Sequence, residues 1–324
     1  MSPKILVVTL NPSIDTQYFM DSPLKPGVQR VTRVERTAGG KGLNVARVLK
    51  KLGNDVVCTG FSGGYNGQWI QDSLMNHGIQ QHFVEVQGDT RICLSFSGPE
   101  EFQPFEVLEA GPEISAEEQE KLKEVVEALG DGMTAGVISG SLPRGVPHTY
   151  YQELIQIFNK KNVPVYLDTS GEVLNQSLKA KPLFVKPNLE ELELFSGTAI
   201  DSEEDIIDAA KDMMEKGAAN VLVSLGAKGA LLVSDKEVWK ANVTPLKKAY
   251  PVGSGDSLLA GVTYALSNGK SWPEALRYGC ACGVSNAINP QTGNVELEQV
   301  ETLLNEIQIE RVRKEVTNSE CSRV

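Results

Sequence analysis

The sequence predicts a doubly wound α/β fold, in which helices cover both faces of a mostly parallel sheet. Six short apolar runs are continuous rather than alternating, which is typical of strands buried on both faces. The runs are Ile5–Leu10, Val56–Phe61, Ala135–Ser139, Val163–Leu167, Leu183–Val185 and Val221–Leu225. Helical patterns lie between most of them, and this alternation indicates the fold class. Examples are Ala116–Leu129, Thr149–Asn159 and Glu203–Lys216.

Two segments, Ser13–Thr37 and Thr90–Leu108, do not follow this alternation. Both contain alternating patterns, and a structureless loop of about 25 residues is uncommon in a compact domain. We therefore expect antiparallel strands that form a small β lid outside the main sheet. A small exposed sheet leaves edges and apolar surface to cover, so we expect a homodimer that forms through the lid.

Length, charge and cysteine content limit the classes of function. The 324 residues carry a formal net charge of −11, which argues against nucleic acid or an anionic membrane as the main partner. The five cysteines are odd in number in a long chain, so a disulfide framework is not expected. No apolar run approaches the roughly 20 residues of a membrane span, and we expect a cytoplasmic protein.

The domain organisation is simple. We expect one α/β domain over residues 1–310, with the lid inserted at about 13–37 and 90–108. The polar and charged residues 311–324 show little periodicity, and we expect them to form a disordered tail.

Small, polar and charged residues follow the predicted strands. The apolar runs end in Asn11-Pro12, Ser139–Ser141, Asp168–Ser170, Lys186–Asn188 and Gly226–Gly229. Ligands of an open α/β sheet bind just beyond the carboxyl ends of its strands. We therefore expect the chemistry at this edge of the sheet.

The segment Gly253–Asp256 opens a helix, because apolar residues at helical spacing follow it. Unpaired N–H groups and the helix dipole attract anions there, and glycine lets the backbone approach closely. A carboxylate in this turn can accept a proton from a substrate hydroxyl while the N–H groups stabilise a transferring phosphoryl group. Taken alone, Asp256 is more simply explained as a residue that satisfies first-turn donors.

A second glycine-rich turn, Ala38–Ala46, also opens a helix. Lys41 and Asn44 place a positive charge and an amide beside closely approachable backbone, which suits a polyhydroxylated anion. The turn is not a Walker A loop, because no Ser or Thr follows its Gly-Lys pair, and it contains no Gly-x-Gly-x-x-Gly. The turn alone therefore indicates no specific function.

Asn188 and Glu191 lie three residues apart at a predicted helix start and share a face. An amide and a carboxylate there can hold water around Mg²⁺, which keeps much of its hydration. The same pair is typical of a helix N-cap with an acidic first turn, and in isolation the cap is favoured.

The segment Ser224–Gly229 follows another strand and either lines a nucleotide site or forms an ordinary turn.

Taken together and in this order, the segments resemble the ribokinase-like (PfkB) family of carbohydrate kinases. Residues Gly39–Ala46, with Gly53 and Gly63 at matching intervals, are similar to its N-terminal signature. Residues Pro251–Asp256, followed by Ala260-Gly261, are similar to its C-terminal signature. The resemblance extends over nearly the whole chain.

Within the family, the chain is most similar to tagatose-6-phosphate kinases and to 1-phosphofructokinases. The similarity rests on Thr9–Asp15, Thr37–Gly42, Glu109–Ile114 and Gln291–Gly293, and the last three favour the tagatose-6-phosphate kinases. Tyr250 departs from the small polar residue that is usual at the start of the family's C-terminal signature. It precedes the anion-binding turn, so we expect no effect on the chemistry.

The resemblance implies a role for each matching residue. Asp256 is expected as the catalytic base, beside an anion hole formed by N–H groups of Gly253, Ser254 and Gly255. Sugar hydroxyls are expected at Asp15, Gly39, Gly40 and Asn44. The sugar phosphate is expected at Arg91, with help from Arg30 and Ser139, while Lys41 serves either group. Mg²⁺ and the triphosphate are expected at Lys186, Asn188 and Glu191, with the metal held by Asn188 and Glu191 through water. The nucleotide is expected beside Ser224, Gly226 and Gly229, with Asn286 near the adenine.

The implied reaction is ATP-dependent phosphorylation of a ketohexose phosphate with Mg²⁺ as cofactor, and tagatose 6-phosphate is the first candidate. Fructose 1-phosphate and fructose 6-phosphate remain alternatives, because these sugars differ by one or two hydroxyl contacts. A non-catalytic sugar-phosphate sensor is a further alternative, although a sensor has no need of a base at Asp256. A nicotinamide-dependent oxidoreductase is disfavoured, because Asn11-Pro12 stands where a dinucleotide fingerprint would follow the first strand.

Overall fold

Fifteen strands and ten α-helices form in the described part of a computed structural model, which comprises residues 2–22, 26–98 and 105–312. The strands are β1 (Lys4–Thr9), β2 (Ser13–Phe19), β3 (Arg33–Gly39), β4 (Asp55–Ser62), β5 (Gln80–Gln81), β6 (Val84–Glu85), β7 (Arg91–Ser97), β8 (Phe105–Leu108), β9 (Ala135–Ser139), β10 (Val165–Asp168), β11 (Phe184–Val185), β12 (Val221–Ser224), β13 (Ala230–Val233), β14 (Val238–Asn242) and β15 (Gln308–Arg311). The helices are α1 (Lys41–Lys51), α2 (Gly64–Asn76), α3 (Ala116–Leu129), α4 (Tyr150–Lys160), α5 (Gly171–Leu178), α6 (Leu189–Ser196), α7 (Glu203–Glu215), α8 (Ser254–Ser267), α9 (Trp272–Ile288) and α10 (Leu297–Glu306).

The central sheet is mostly parallel, as predicted. Its strand order is β15-β14-β13-β12-β11-β10-β9-β1-β4-β5, and the short β6 also pairs with β4. Neighbours from β12 to β5 run parallel, whereas β13, β14 and β15 add an antiparallel edge. The predicted strands and helices agree with the observed ones to within two residues at each end.

Two hydrophobic layers cover the two faces of this sheet. Along β1, Leu6 and Val8 belong to one layer, Ile5 and Val7 belong to the other, and none of the four has exposed surface. Helices α3 to α7 complete the first layer, and α1, α2, α8, α9 and α10 complete the second. Burial of each such side chain contributes about 1.5–3 kcal/mol. The apolar runs are continuous because both faces of each strand need this burial.

The predicted lid is confirmed as a separate four-stranded sheet in the order β3-β2-β7-β8. Its outer pairs are antiparallel, whereas β2 and β7 in the middle run parallel, with Ser13 opposite Arg91. Parallel neighbours need a crossover connection, and here the chain passes through β4 and α2 of the main domain before it returns. Tyr18, Phe96 and Phe105 stack in a row across the lid, with ring centroids 5.3 and 4.6 Å apart.

The predicted start of the tail at residue 311 is wrong. Arg311 is the last residue of β15, which pairs with β14, and the N–H of Val312 donates to Val238 O. An edge strand exposes one side, so its polar composition concealed it. The rest of the predicted tail, residues 313–324, lies outside the described residues. No helix in the described part of the chain is long and apolar enough to cross a membrane.

Candidate active site

A pocket of about 550 Å³ lies between the carboxyl edge of the central sheet and the lid. It brings together most of the residues that the sequence predicts for binding sugar and phosphate. They are Asp15, Gly40, Lys41, Asn44, Arg91, Lys186, Asn188, Ser224, Gly253, Gly255 and Asp256. Strand ends, the starts of α1 and α8, and the lid therefore converge on one space, which we call the central pocket.

Asp256 lies in the first turn of α8, and its side chain is buried at the wall of the central pocket. Gly253 precedes the helix with φ 81°, in the left-handed region. A Cβ on Gly253 would lie 2.6 Å from Cγ2 of Thr292. Only glycine therefore permits both this turn and its close contact with the neighbouring loop.

The start of α8 offers free backbone donors. The N–H groups of Gly253, Gly255 and Asp256 donate to no acceptor among the described residues, whereas Ser254 N–H donates to Pro251 O at 3.0 Å. The predicted anion hole is thereby corrected in one member, because a turn already uses the Ser254 N–H and the Asp256 N–H is free instead. Free donors and the helix dipole favour an anion here.

The environment of Asp256 tunes its basicity. Burial, followed by the negative charge of Asp168, raises the pKa of Asp256 to about 6. Lys41, the hydrogen bond from Asn44, and Lys186 act in the opposite direction. A carboxylate with a pKa near the working pH is ionised and still accepts a proton readily. Asp256 is therefore suited to act as a general base near neutral pH.

Asp168, at the end of β10, balances two lysines beside this base. Lys41 Nζ lies 3.3 Å from its Oδ1, and Lys186 Nζ lies 3.5 Å from its Oδ2. Burial raises the pKa of Asp168, but the charges of Lys186 and Lys41 outweigh burial and hold the pKa below its ordinary value. Asp168 in turn raises the pKa of Lys41. Two cations are thus held near the free N–H groups.

Asp15 contributes a carboxylate from the lid. It accepts hydrogen bonds from Ser13 Oγ at 2.6 Å and from Gly40 N–H at 3.4 Å, and burial raises its pKa. Gly39 makes room for it, because a Cβ there would lie 2.0 Å from Asp15 Oδ2. Asp15 and the amide of Asn44 line the same pocket, and together they can hold hydroxyl groups.

Arg91 lies opposite Ser13 in the lid and lines the central pocket. Its Nε and Nη2 donate to Asn11 O at 3.2 and 3.0 Å, and its Nη1 donates to Glu109 O at 3.2 Å. These bonds fix the plane of the guanidinium and leave N–H donors for an anion, since the group carries five. Asn11 was noted in the sequence as a strand end, but the residue-by-residue prediction gave it no role.

A second pocket of about 340 Å³ adjoins the central pocket, and we call it the side pocket. The two share Asn188, Ser224 and Gly255. Ser224, Gly226 and Gly229, which the sequence predicts to flank a nucleotide, all line the side pocket. Most of its other walls are apolar, from residues such as Leu246, Leu258, Val284 and Ala287. It therefore offers a place for a flat heterocycle next to the anion-binding turn.

Asn188 and Glu191 form the helix cap that was the simpler explanation of their spacing. Asn188 Oδ1 accepts from Glu191 N–H at 2.7 Å, and Glu191 Oε2 accepts from Asn188 N–H at 3.0 Å. The other carboxylate oxygen of Glu191, Oε1, takes no part in the cap and lies 3.9 Å from Lys41 Nζ. No cluster of three or more His, Cys, Asp or Glu among the described residues can hold a metal ion. Mg²⁺ needs few protein ligands when water and phosphate oxygens complete its shell, so this donor set fits Mg²⁺ held through water.

Five predicted site residues line neither pocket, and they are Arg30, Gly39, Ser139, Glu191 and Asn286. Arg30 is exposed on the chain before β3 and lines neither pocket. Ser139 is fully buried in β9, and its Oγ has no hydrogen-bond partner among the described residues, while Gly140 and Ser141 line the central pocket instead.

Asn286 supports the anion-binding turn from behind rather than approaching a nucleotide. It is fully buried, its Nδ2 donates to Val252 O at 2.9 Å, and its Oδ1 accepts from Gly293 N–H at 2.8 Å. Because it lies on α9, its neighbours Gly283, Val284 and Ala287 face the side pocket while Asn286 faces the turn. Helical spacing would have suggested this division of faces.

Comparison with known proteins identifies the family of the chain. Residues 4–298 match the pfkB family of carbohydrate kinases. A solved Staphylococcus aureus protein, provisionally identified as a phosphofructokinase, is 33% identical with a TM-score of 0.81, over 95% of this chain and 99% of that one. Phosphofructokinase-2 from Escherichia coli, solved with potassium, is 28% identical with a TM-score of 0.87, over 94% and 98%.

A Thermotoga maritima protein, provisionally identified as a 1-phosphofructokinase, is 25% identical with a TM-score of 0.87, over 96% of this chain and 100% of that one. The Escherichia coli protein has also been solved with fructose 6-phosphate and in a tetrameric inhibited form. The family match covers most of the chain, and the fold agrees with the solved structures. The chain belongs to the pfkB family of carbohydrate kinases and is an ATP-dependent sugar kinase.

Proposed function

We propose that this kinase transfers the γ-phosphoryl group of ATP to the 1-hydroxyl of tagatose 6-phosphate, which gives tagatose 1,6-bisphosphate and ADP. The observation that carries the proposal is the buried carboxylate of Asp256 beside the free N–H groups of Gly253 and Gly255. The choice of sugar rests on the similarity of Thr37–Gly42, Glu109–Ile114 and Gln291–Gly293 to tagatose-6-phosphate kinases.

The proposed mechanism depends on positioning and charge stabilisation more than on covalent help. Asp256 accepts the proton of the attacking hydroxyl as its oxygen forms the new bond to phosphorus. The bond from phosphorus to the bridging oxygen of ADP breaks in line, and that oxygen keeps the electron pair. The free N–H groups at α8, with Lys41 and Lys186 nearby, stabilise the charge on the transferring group.

The sugar phosphate is proposed to bind between the lid and the start of α1. Arg91 offers planar N–H donors that match a phosphate, and Asp15 and Asn44 offer partners for hydroxyl groups. All three line the central pocket with Asp256. This arrangement supports a sugar held by its phosphate at one end, with a free hydroxyl at the base.

The nucleotide is proposed to bind in the side pocket, with its phosphates directed to Gly255 at the junction of the two pockets. Mg²⁺ would neutralise phosphate oxygens and fix their orientation. Glu191, and Asn188 at the pocket wall, would hold the hydrated ion, while Lys186 binds the phosphates directly.

The lid is also proposed as a dimer interface. Val107 and Leu108 of β8 are 50% and 60% exposed, and Val34 of β3 and Phe105 are nearly 40% exposed. Such apolar side chains on a small sheet favour contact with another lid.

We place the protein in the cytoplasm, in keeping with the free thiols of Cys58, Cys93, Cys280 and Cys282.

A second candidate substrate is fructose 1-phosphate, with attack by its 6-hydroxyl. The provisional identification of the Thermotoga maritima relative as a 1-phosphofructokinase favours it. The same base, anion hole and nucleotide pocket would serve this reaction, so only the orientation of the sugar would differ.

ADP release with ATP and Mg²⁺ tests the proposal on a panel of tagatose 6-phosphate, fructose 6-phosphate, fructose 1-phosphate and unphosphorylated hexoses. We expect the highest kcat/KM for tagatose 6-phosphate. A preference for fructose 1-phosphate would replace the proposed sugar and keep the mechanism. Absence of turnover with every sugar phosphate would refute the proposed pocket.

A further inference from the structure

A separate cavity of about 520 Å³ borders the C-terminal half of α1, away from the Lys41 end that lines the central pocket. We call it the basic pocket, because four of its lining side chains are cationic and none is a carboxylate. The cations are Arg36, Arg47, Lys50 and Lys51. His77 and the loop Gln291–Asn294 complete its walls, together with residues of β3 and α2. Its volume lies in the range of about 300–1,000 Å³ that is usual for small-molecule sites.

Two of the four positive charges have no counter-charge among the described residues, whereas Arg47 is attracted by the carboxylates of Asp15 and Asp256. Lys51 pairs with Glu296 at 2.9 Å. The side chains of Arg36 and Lys50 form no hydrogen bond or ion pair with any part of the chain that the structure describes. The C-terminal end of α1 supplies only about half a negative charge. A concave surface with excess positive charge, in a protein of net charge −11, attracts anions locally.

Arg47 connects this pocket to the catalytic base. Its guanidinium donates to Ala38 O, to Thr292 O at 2.7 Å and to Asn44 Oδ1 at 2.7 Å. Asn44 Nδ2 then donates to Asp256 Oδ2 at 2.7 Å. An anion in the basic pocket would therefore contact a side chain that lies two hydrogen bonds from Asp256.

We propose that the basic pocket is a second, non-catalytic anion site that binds a small phosphorylated molecule and lowers turnover through Arg47. The planar N–H donors of Arg47 and Arg36 match the oxygens of a phosphate group, and the ammonium group of Lys50 adds a further positive charge. Bound oxygens would compete with Asn44 for the Arg47 N–H groups. The amide of Asn44 would then lose the partner that orients it towards Asp256.

Equilibrium dialysis with radiolabelled pyrophosphate, in buffer without Mg²⁺, tests the site directly. The Arg36→Gln/Lys50→Gln double variant should lose one class of bound pyrophosphate, with at least tenfold weaker binding. The control is Lys160→Gln/Lys179→Gln, which removes two exposed cations elsewhere and should bind as the wild type does. Displacement of the label by ADP or by fructose 1,6-bisphosphate distinguishes a nucleotide ligand from a sugar phosphate ligand.

Equal binding of pyrophosphate by all three proteins would overturn the site. An equal loss in both double variants would also overturn it, because binding would then depend only on the net charge of the protein. Lys50→Gln alone, a change on the surface of α1, repeats the test with little risk to folding and should weaken binding severalfold. The dialysis needs no turnover, so it remains decisive even if the proposed sugar is wrong.

The link through Arg47 rests on the proposed function and has its own test. At saturating ATP and sugar phosphate and constant ionic strength, orthophosphate should lower kcat of the wild type at least twofold. Saturation excludes competition at the central pocket. The Arg36→Gln/Lys50→Gln variant should resist this inhibition, and a wild-type kcat that orthophosphate leaves unchanged would overturn the link.

Discussion

The side-chain amide of Asn44 donates a hydrogen bond of 2.7 Å to Asp256, although 212 residues separate them in the chain. Its orientation is fixed, because the amide oxygen already accepts a hydrogen bond of 2.7 Å from Arg47. The two residues stand at the starts of α1 and α8, which follow the two glycine-rich turns. This bond thus joins the two turns into one site and stabilises the ionised form of Asp256.

Asn44→Ala should impair catalysis by changing this base. A hydrogen bond to a charged group contributes about 1.5–3 kcal/mol, so kcat/KM at neutral pH should fall roughly 10- to 100-fold. Steady-state kinetics across pH should also show the acid limb at higher pH, because the carboxylate loses a stabilising donor. Asn66→Ala, which removes a hydrogen bond to Thr90 O outside the pocket, should change neither quantity. Wild-type kinetics in Asn44→Ala would refute the role.

The pH dependence of kcat/KM should report the pKa of Asp256. The protonated acid cannot accept the hydroxyl proton, so activity should fall as the pH drops through about 6. Lys41 lowers the pKa of Asp256, and its removal in Lys41→Met should therefore move the acid limb to higher pH. Lys161→Met, whose lysine pairs with the exposed Asp131, should leave the limb in place. A limb that does not respond to Lys41→Met would contradict the charge arrangement.

Asp168→Asn should reduce stability strongly. Removal of one member of a buried ion pair costs about 3–5 kcal/mol, and here it leaves Lys186 and Lys41 without their shared partner. The folded-state pKa of Asp168 is depressed, so its contribution is present above the ordinary carboxyl pKa and is lost as the pH falls through the lower folded value. Urea unfolding at pH 7 should therefore show the full loss.

The matched control for Asp168 is Asp131→Asn, which breaks an exposed pair with Lys161 at 2.7 Å. Exposed pairs contribute about 0–1 kcal/mol, so this variant should unfold almost as the wild type does. Equal urea midpoints for the two variants would show that Asp168 has no special part in the site.

Arg91→Lys should raise KM for the sugar phosphate at least tenfold and leave KM for ATP nearly unchanged. Lysine cannot reproduce the planar contacts that hold Arg91 on Asn11 O and Glu109 O. Arg144→Lys is a matched control, because Arg144 also holds a backbone carbonyl, that of Gly111, at 3.1 Å but does not line the central pocket. Equal changes in the KM values for the sugar phosphate and for ATP in Arg91→Lys would show that Arg91 does not bind the sugar phosphate.

Much of the fold follows from local pattern in the sequence. Continuous apolar runs such as Val221–Leu225 reveal buried strands because both faces of the sheet are covered, and α3 is predicted to its exact bounds. The parallel contact between β2 and β7 depends on a crossover through the main domain, which alternation within each strand does not encode. Arg311 was misassigned because its pairing with β14 is a long-range contact.

Site residues were predictable where the local backbone or the burial of the position allows only one type of residue. Gly253 with φ 81° and Asp256 are examples, since backbone geometry and burial constrain both. Ser139 and Asn286 were misplaced because they lie on elements whose two faces serve different purposes. Asp168 was visible as a strand end, but its role depends on lysines from α1 and from the end of β11.

Asp256→Asn is the most direct test of the central claim, that Asp256 is the catalytic base. General base catalysis contributes roughly 10²–10⁴-fold, so kcat with the best sugar of the panel should fall by about that factor, while calorimetric affinity for the sugar phosphate changes little. Because burial and Asp168 disfavour the Asp256 charge, the variant should also unfold at a higher temperature. A kcat within a few-fold of the wild type, in a folded variant, would contradict the assignment.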